Sequence, residues 1–212
     1  MKNKEDFKDY YKKKEVTGSY DSQREATEYR RIKRKNELLI FLDLINKKEG
    51  DDVLEIGCSS GVLTKYLGNV TAIDTSLDML KLAKKKNPKA TLFEADMFRI
   101  DKLFEEEGLD TIVTQRVWNH LKEEELREMM KKSFKILKKK GYLIFDIESK
   151  NWLRRTIHLF YKKIFRITGF KIYQYSYEEI KKILEDEGFK LKRIEYLKHR
   201  VGNQMIFKAQ KI

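Results

Sequence analysis

Residues 52–67 constrain the fold of this chain more than any other stretch. They open on a short apolar run, Val53, Leu54 and Ile56, of the kind that forms a buried strand. Glycines then break the chain at Gly57 and Gly61, and Val62, Leu63, Tyr66 and Leu67 recur at helical spacing. Strand, tight glycine turn and helix make a unit in which glycine lets backbone N–H groups approach a ligand. The helix N-terminus faces the same place. A βα turn with no ligand would read identically over these residues alone, so the weight falls on the residues downstream.

From residue 70 onward the pattern repeats. Residues 70–73 read as a second strand ending in Asp74, 17 positions after Gly57. In dinucleotide-type sites an acid about 20 positions past the turn accepts the ribose hydroxyls, because one carboxylate can take two vicinal O–H donors. Thr75 and Ser76 lead into a helix carrying Leu77, Met79, Leu80, Leu82 and Ala83, which Asn87 and Pro88 stop. Residues 90–95 read as a third strand, ending at Asp96 and Met97. A carboxylate accepting from an exocyclic amine, beside a Met against the ring face, would recognise adenine.

A fourth strand over residues 109–114 runs into Gln115 and on to Trp118 and His120. An amphipathic helix comes next (Leu126, Met129, Met130, Phe134, Ile136, Leu137), then Lys138-Lys139-Lys140-Gly141 and a fifth strand over 142–147. Strands alternating with helices predict a parallel sheet covered on both faces, with ligands at the carboxyl ends of the strands. Any one of these acids could be an ordinary solvated loop acid. Together, in register with the glycine turn, they mark one crevice.

The flanks read differently. Residues 1–48 form a helical cap: charge with Phe7, Tyr10 and Tyr11 interleaved, then Tyr20-Asp21-Ser22-Gln23, which can cap a helix from about Arg24. From residue 149 to 177 there is no Asp or Glu. Lys150, Arg154, Arg155, Lys162, Lys163, Arg166 and Lys171 interleave there with Trp152, Phe160, Tyr161 and Phe165. A helix over 178–187, Gly188 as its cap, and two strands over 190–197 and 204–209 close the chain.

Composition bounds the chemistry. The 212 residues suit a single domain. One cysteine, Cys58, leaves no internal disulfide and no multi-cysteine zinc site, and three separated histidines give a metal little to bind, so no metal is expected. No apolar run reaches the ~18 residues of a membrane span and no signal-type segment follows the charged N-terminus. A cytoplasmic protein is therefore expected. The net charge of +13 admits RNA or an anionic membrane as partner. Abundant Lys, Glu and Ile beside a single Cys also make a thermophile-like composition, in which ion pairs serve stability.

Taken together the motifs resemble the class I S-adenosylmethionine-dependent methyltransferases, especially the small-molecule group of ubiquinone and menaquinone biosynthesis. The resemblance rests on Val53-Leu54-Glu55-Ile56-Gly57-Cys58-Ser59-Ser60-Gly61, on Ala72-Ile73-Asp74, on Ala95-Asp96-Met97 and on Asp110-Thr111-Ile112-Val113 with His120-Leu121. It continues through residues 134–143 and, more loosely, 177–189. Two positions depart from it: Ser59 stands where the middle glycine is usual, and Lys140-Gly141 replaces Gly-Gly.

The resemblance implies a Rossmann-like, doubly wound α/β fold with a mostly parallel seven-stranded sheet whose last strand is antiparallel. It implies S-adenosylmethionine as cofactor and S-adenosylhomocysteine as product. Glu55 would order the loop, Gly57, Cys58 and Gly61 would lie beside the methionine part, and Asp74 with Thr75 would take the ribose. Asp96 and Met97 would hold adenine, and Gln115 would face the transferring methyl. Residues 149–177 would be a lid.

Displacement at a sulfonium needs an in-line nucleophile and dry surroundings, so positioning supplies most of the acceleration. A base is needed only where the acceptor must lose a proton, and Tyr20 and His120 are the candidates. Cys58 as a nucleophile is a rival reading, with no histidine adjacent to it in sequence. A small, acidic or lipid-like acceptor is the main expectation. An RNA methyltransferase using residues 149–177, an enzyme docked on anionic membrane through the same residues, and a cofactor-binding protein without turnover are the alternatives. Thr114-Gln115-Arg116-Val117 stands where RNA amine methylases often carry an Asn-Pro-Pro-Tyr-like stretch, which speaks against amine methylation of a base.

Overall fold

The computed structural model of the protein describes residues 21–22, 25–150, 172–198 and 203–212. Tyr20 and residues 151–171 of the expected lid lie outside the described residues.

Helix α1 (Glu28–Ile45) starts where Thr27, in extended backbone, accepts the Arg30 N–H on its side-chain oxygen at 3.3 Å. That cap places the start four residues beyond the expected Arg24. The helix buries Phe41, Leu44 and Ile45 against the sheet, while Tyr29, Ile32 and Leu39 stay exposed.

Strands β1 (Val53–Ile56), β2 (Thr71–Asp74), β3 (Thr91–Glu94), β4 (Leu109–Thr114) and β5 (Leu137–Ser149) pair in parallel. Strand β8 (Asn203–Lys211) runs antiparallel between β5 and β7 (Phe189–Lys198), giving the order β3-β2-β1-β4-β5-β8-β7. This is the expected seven-stranded, doubly wound sheet with its last strand antiparallel. One short strand adds to it: β6 (Gln174–Tyr175) pairs with Glu148 and Ser149 off that path. Two residues inside the expected lid are too few for a periodic signal.

Alternation along the strands loads both faces. Leu143, Phe145 and Ile147 of β5 and Met205, Phe207 and Ala209 of β8 share one core with α4 (Glu123–Ile136) and α5 (Tyr177–Asp186). Val113, Ile144 and Ile206 point the other way and share a core with α1. Helix α2 (Leu77–Lys86), capped by Ser76, packs through Leu80 and Ala83 beside Ala72. A four-residue α3 (Ile100–Leu103) lies between β3 and β4.

The helix expected over residues 62–67 is a single 3-10 turn, Thr64–Tyr66. Gly61 and Gly68 bound it in left-handed backbone, at φ 75° and 64°. Asn87 Nδ2 donates to the carbonyls of Thr64 and Gly68 at 2.7 and 2.8 Å, tying the turn down before β2 begins. A turn this short has little macrodipole to offer a ligand.

Candidate active site

Strands β1 to β4 end on one side of the sheet, and the chain reverses its order across the sheet between β1 and β4. Such a switch point is where open α/β sheets hold ligands. A cleft lies there, containing about 1090 Å³ of space, part of it open to solvent. The strand ends line it in spatial order: Asp96 and Met97 past β3, Asp74 and Thr75 at β2, Glu55, Gly57 and Cys58 at β1, Gln115 past β4. With strands ~4.8 Å apart these residues spread over roughly 14 Å, which suits an elongated ligand. His120 lines the same cleft.

Among the described residues expected here, only Gly61 does not line the cleft. It serves packing instead: a Cβ on it would stand 2.6 Å from the Ala83 Cα of α2. Gly57, at φ 70°, has the opposite wall on top of it, since a Cβ would stand 2.3 Å from Val117 Cγ2. The turn's N–H groups face inward rather than toward the cleft. Those of Gly57 and Cys58 both donate to the Ile73 carbonyl, at 2.8 and 3.1 Å, and that of Ser59 donates to Asp74 Oδ2 at 2.8 Å. Ser59 takes the left-handed backbone of the usual middle glycine, at φ 52°.

Burial governs the acids of the glycine turn. Burial pushes the Asp74 carboxyl up, against the backbone N–H groups of Ser76, Ser59 and Thr75 that favour its ionised form. Glu55 is pushed up to about 8 by burial and by the Asp74 carboxylate, although Thr64 Oγ1 donates to it at 2.6 Å. The Cys58 thiol is held well above its ordinary value by burial, then by Glu55 and Asp74. A thiol so shifted is a poor nucleophile near neutral pH, which weighs against the rival reading of Cys58. Asp96 caps the Met97–Arg99 turn, accepting from Phe98 N at 3.0 Å, and Met97 is buried beneath it.

Other residues of the cleft escaped the sequence reading: Arg34, Glu37 and Leu38 of α1, Ser60, Arg116 and Val117. Arg34, Glu37 and Leu38 share a helix face at i, i+3 and i+4, but that spacing alone does not mark them as cleft residues. Arg34 donates to Asp21 and Glu25 at 2.8 and 2.9 Å. Asp21 also accepts from Ser60 Oγ at 2.8 Å and Lys86 Nζ at 2.6 Å, so it is tied to the glycine turn. Burial raises the Asp21 carboxyl, but Arg34, Lys86 and Ser60 outweigh it and bring it down to about 2.

Among the described residues no group of three or more His, Cys, Asp and Glu side chains could hold a metal ion, and no helix is long and apolar enough to cross a membrane.

Residues 54–145, from β1 to β5, match the family described as methyltransferase domain. An uncharacterized methyltransferase of Oceanobacillus iheyensis is 31% identical over 150 residues, covering 68% of this chain and 70% of the relative. An uncharacterized protein of Methanocaldococcus jannaschii is 29% identical over 143 residues, covering 66% of this chain and 51% of that protein, about half its length. Among solved structures, magnesium protoporphyrin IX methyltransferase from Synechocystis with bound SAH shares the fold at a TM-score of 0.75, with 21% identity over 97% of each chain. A Haloferax volcanii methyltransferase in complex with the Trm112 activator shares it at 0.69, with 14% identity over 94% of this chain and 99% of that one. With this sheet, this cleft and these relatives, the chain belongs to the class I S-adenosylmethionine-dependent methyltransferases.

Proposed function

We propose that this chain transfers the methyl group of S-adenosylmethionine to a small molecule, in the cytoplasm, within the cleft over β1 to β4. The observation that carries the reading is Asp74. It stands at the end of β2 with one carboxylate oxygen anchored by Ser59 N at 2.8 Å and the other by Ser76 N at 2.9 Å. Each oxygen keeps a lone pair, so one rigid group can accept two vicinal ribose hydroxyls. Asp96 and Met97, one strand outward, suit adenine. Gly57 and Cys58 would lie along the methionine part, with Glu55 supporting their turn, and Gln115 past β4 would face the methyl. Gly61 acts only indirectly, by letting α2 approach.

Bound there, the cofactor supplies an electrophilic methyl on a sulfonium. The chain's residues orient it and exclude water. The cleft is open to solvent on one side, and an acceptor would enter beside the cofactor from there. His120, in the wall past β4, would take the acceptor's proton where the chemistry requires it; Tyr20 keeps that candidacy from the sequence alone. Residues 149–177 would cover the acceptor, and their Lys and Arg side chains favour an acidic or lipid-like one.

Titration calorimetry with S-adenosylhomocysteine, on wild type and Asp74→Ala, tests the seat. Losing two hydrogen bonds to a carboxylate should weaken binding by about a hundredfold. Methyl-labelled cofactor is then offered with the small-molecule, lipid and RNA fractions of a cell extract. Label in the small-molecule or lipid fraction supports the reading, and label in RNA replaces its acceptor. A wild type that binds no S-adenosylhomocysteine overturns it.

A further inference from the structure

Arg116 leaves β4 in left-handed backbone, at φ 59°. A long side chain keeps that conformation only where its surroundings over-determine it. Here they do. Its backbone N–H donates to Asp146 Oδ1 at 2.6 Å. Its guanidinium grips both oxygens of Glu37, with Nε at 2.7 Å from Oε1 and Nη2 on Oε2, the bidentate fork that fixes geometry as well as charge. Gln204 Nε2 then donates to Glu37 and to Asp146, joining the two acids. Glu37, Asp146 and Gln204 are all buried. Helix α1, the loop past β4, and strands β5 and β8 thus meet at one residue.

The same loop carries a second mark of strain. Thr114 Oγ1 and Trp118 Nε1 are buried with no hydrogen-bond partner among the described residues. Unpaired buried polar atoms and a left-handed arginine within five residues of each other are costs a turn keeps where its shape matters. That shape has a visible consequence. Gln115 and Val117 flank Arg116, and both line the cleft with His120. Val117 Cγ2 occupies the place directly over Gly57. The left-handed backbone of Arg116 sets how Gln115, on one side, and Val117, on the other, stand relative to each other in the cleft wall.

We infer that Arg116, clamped by Glu37, is a positioning residue: the pair sets the wall of Gln115, Val117 and His120 against the glycine turn and makes α1 part of the cofactor seat. The inference rests on the cofactor reading above.

Two variants test it, both read by calorimetric titration with S-adenosylhomocysteine. The double variant Glu37→Gln with Arg116→Gln buries no stranded charge, so it keeps the fold while losing the fork. Its affinity should fall about tenfold, the equivalent of one good charge-assisted contact. Arg116→Gly suits the left-handed backbone and leaves a guanidinium-sized space. Its affinity should fall similarly and recover in millimolar guanidinium chloride but not in equal sodium chloride, a rescue that a general loss of stability would not show. Should the glycine variant not fold, the double variant decides. A folded double variant within about twofold of wild type overturns the inference, as does a glycine variant that guanidinium leaves unrescued. A wild type that does not bind at all fells the cofactor reading itself, and is told apart by that.

Discussion

Two glutamates lining one cleft, Glu37 and Glu55, are both buried, and their carboxyls are shifted in opposite directions. Burial raises both. At Glu37 the Arg116 guanidinium, helped by Gln204 and Lys33, outweighs burial and holds the carboxyl below its ordinary value. At Glu55 the neighbours are a hydroxyl and the Asp74 carboxylate, and the carboxyl sits at about 8. The partner, not the depth, decides the charge. The α1 side of the cleft is therefore internally neutralised and pre-shaped. The β1–β2 side gathers Glu55, Asp74 and the Cys58 thiol, whose charged forms are all disfavoured by burial.

The contrast predicts its own largest break. Arg116→Met leaves Glu37 buried and unpaired, which costs on the order of 3–5 kcal/mol. At roughly 2–4 °C per kcal/mol for a chain of this size, the thermal midpoint at pH 7 should drop by about 10 °C. Glu55→Gln removes a carboxyl that holds its proton in the folded state but loses it on unfolding, so at that pH it should raise the midpoint rather than lower it. Equal drops in a side-by-side melt would mean that both glutamates are charged, and the comparison would fail.

Glu55 entered the sequence analysis through the family resemblance and Glu37 did not enter it at all, for a physical reason. The motif that carries Glu55 is local: an apolar strand, a glycine break and an acid one strand over are all set by nearest neighbours and by the alternation of strands with helices. The strands over residues 53–56 and 109–114 were legible in the same way, because both faces are covered and apolar residues are not confined to alternate positions. The Ser176–Glu179 capping box also announces its helix locally. Glu37 acquires meaning only from Arg116, 79 positions on, and Gln204, 167 positions on. No periodicity carries information over such distances. The false helix over 62–67 is the converse error. Val62, Leu63, Tyr66 and Leu67 have helical spacing, but glycines at both ends and the Asn87 amide permit a single turn. The inward N–H groups of the glycine turn were equally hidden, since their acceptors lie on β2.

A gentler experiment uses pH. Glu55, at about 8, and Asp146, raised to about 7 by burial and by the Glu37 carboxylate, hold protons in the folded state that the unfolded chain has lost. Their contribution is therefore full below the unfolded carboxyl values and is lost as pH rises toward 7–8. Each group can contribute a slope of at most about 1.4 kcal/mol per pH unit in that window. The ligand-free thermal midpoint should fall between about pH 5 and pH 8, and Glu55→Gln should flatten the fall. A wild-type midpoint that rises with pH over this range, or a variant with an unchanged slope, would show Glu55 to be ionised.

The smallest effect concerns charges that are not buried. The Asp21 side chain is 36% exposed and that of Lys86 30%, so their tie to Ser60 and Arg34 belongs with surface ion pairs, worth about 0.2–1 kcal/mol. Screening lengths of ~10 Å at 0.1 M salt and ~3 Å at 1 M make such ties salt-sensitive, whereas the buried fork of Glu37 and Arg116 is screened far less. Asp21 bonds to Arg34 and Ser60 of the cleft wall, so Asp21→Asn should speed S-adenosylhomocysteine release up to about fivefold at low salt. Wild type should approach the variant's rate as salt is raised, with release followed by stopped-flow displacement. The double variant at Glu37 and Arg116 should instead keep its full deficit at every salt concentration. A gap between wild type and Asp21→Asn that survives high salt would mean that the Asp21 tie is shielded from salt as the buried fork is, and the two would then differ in partner but not in depth.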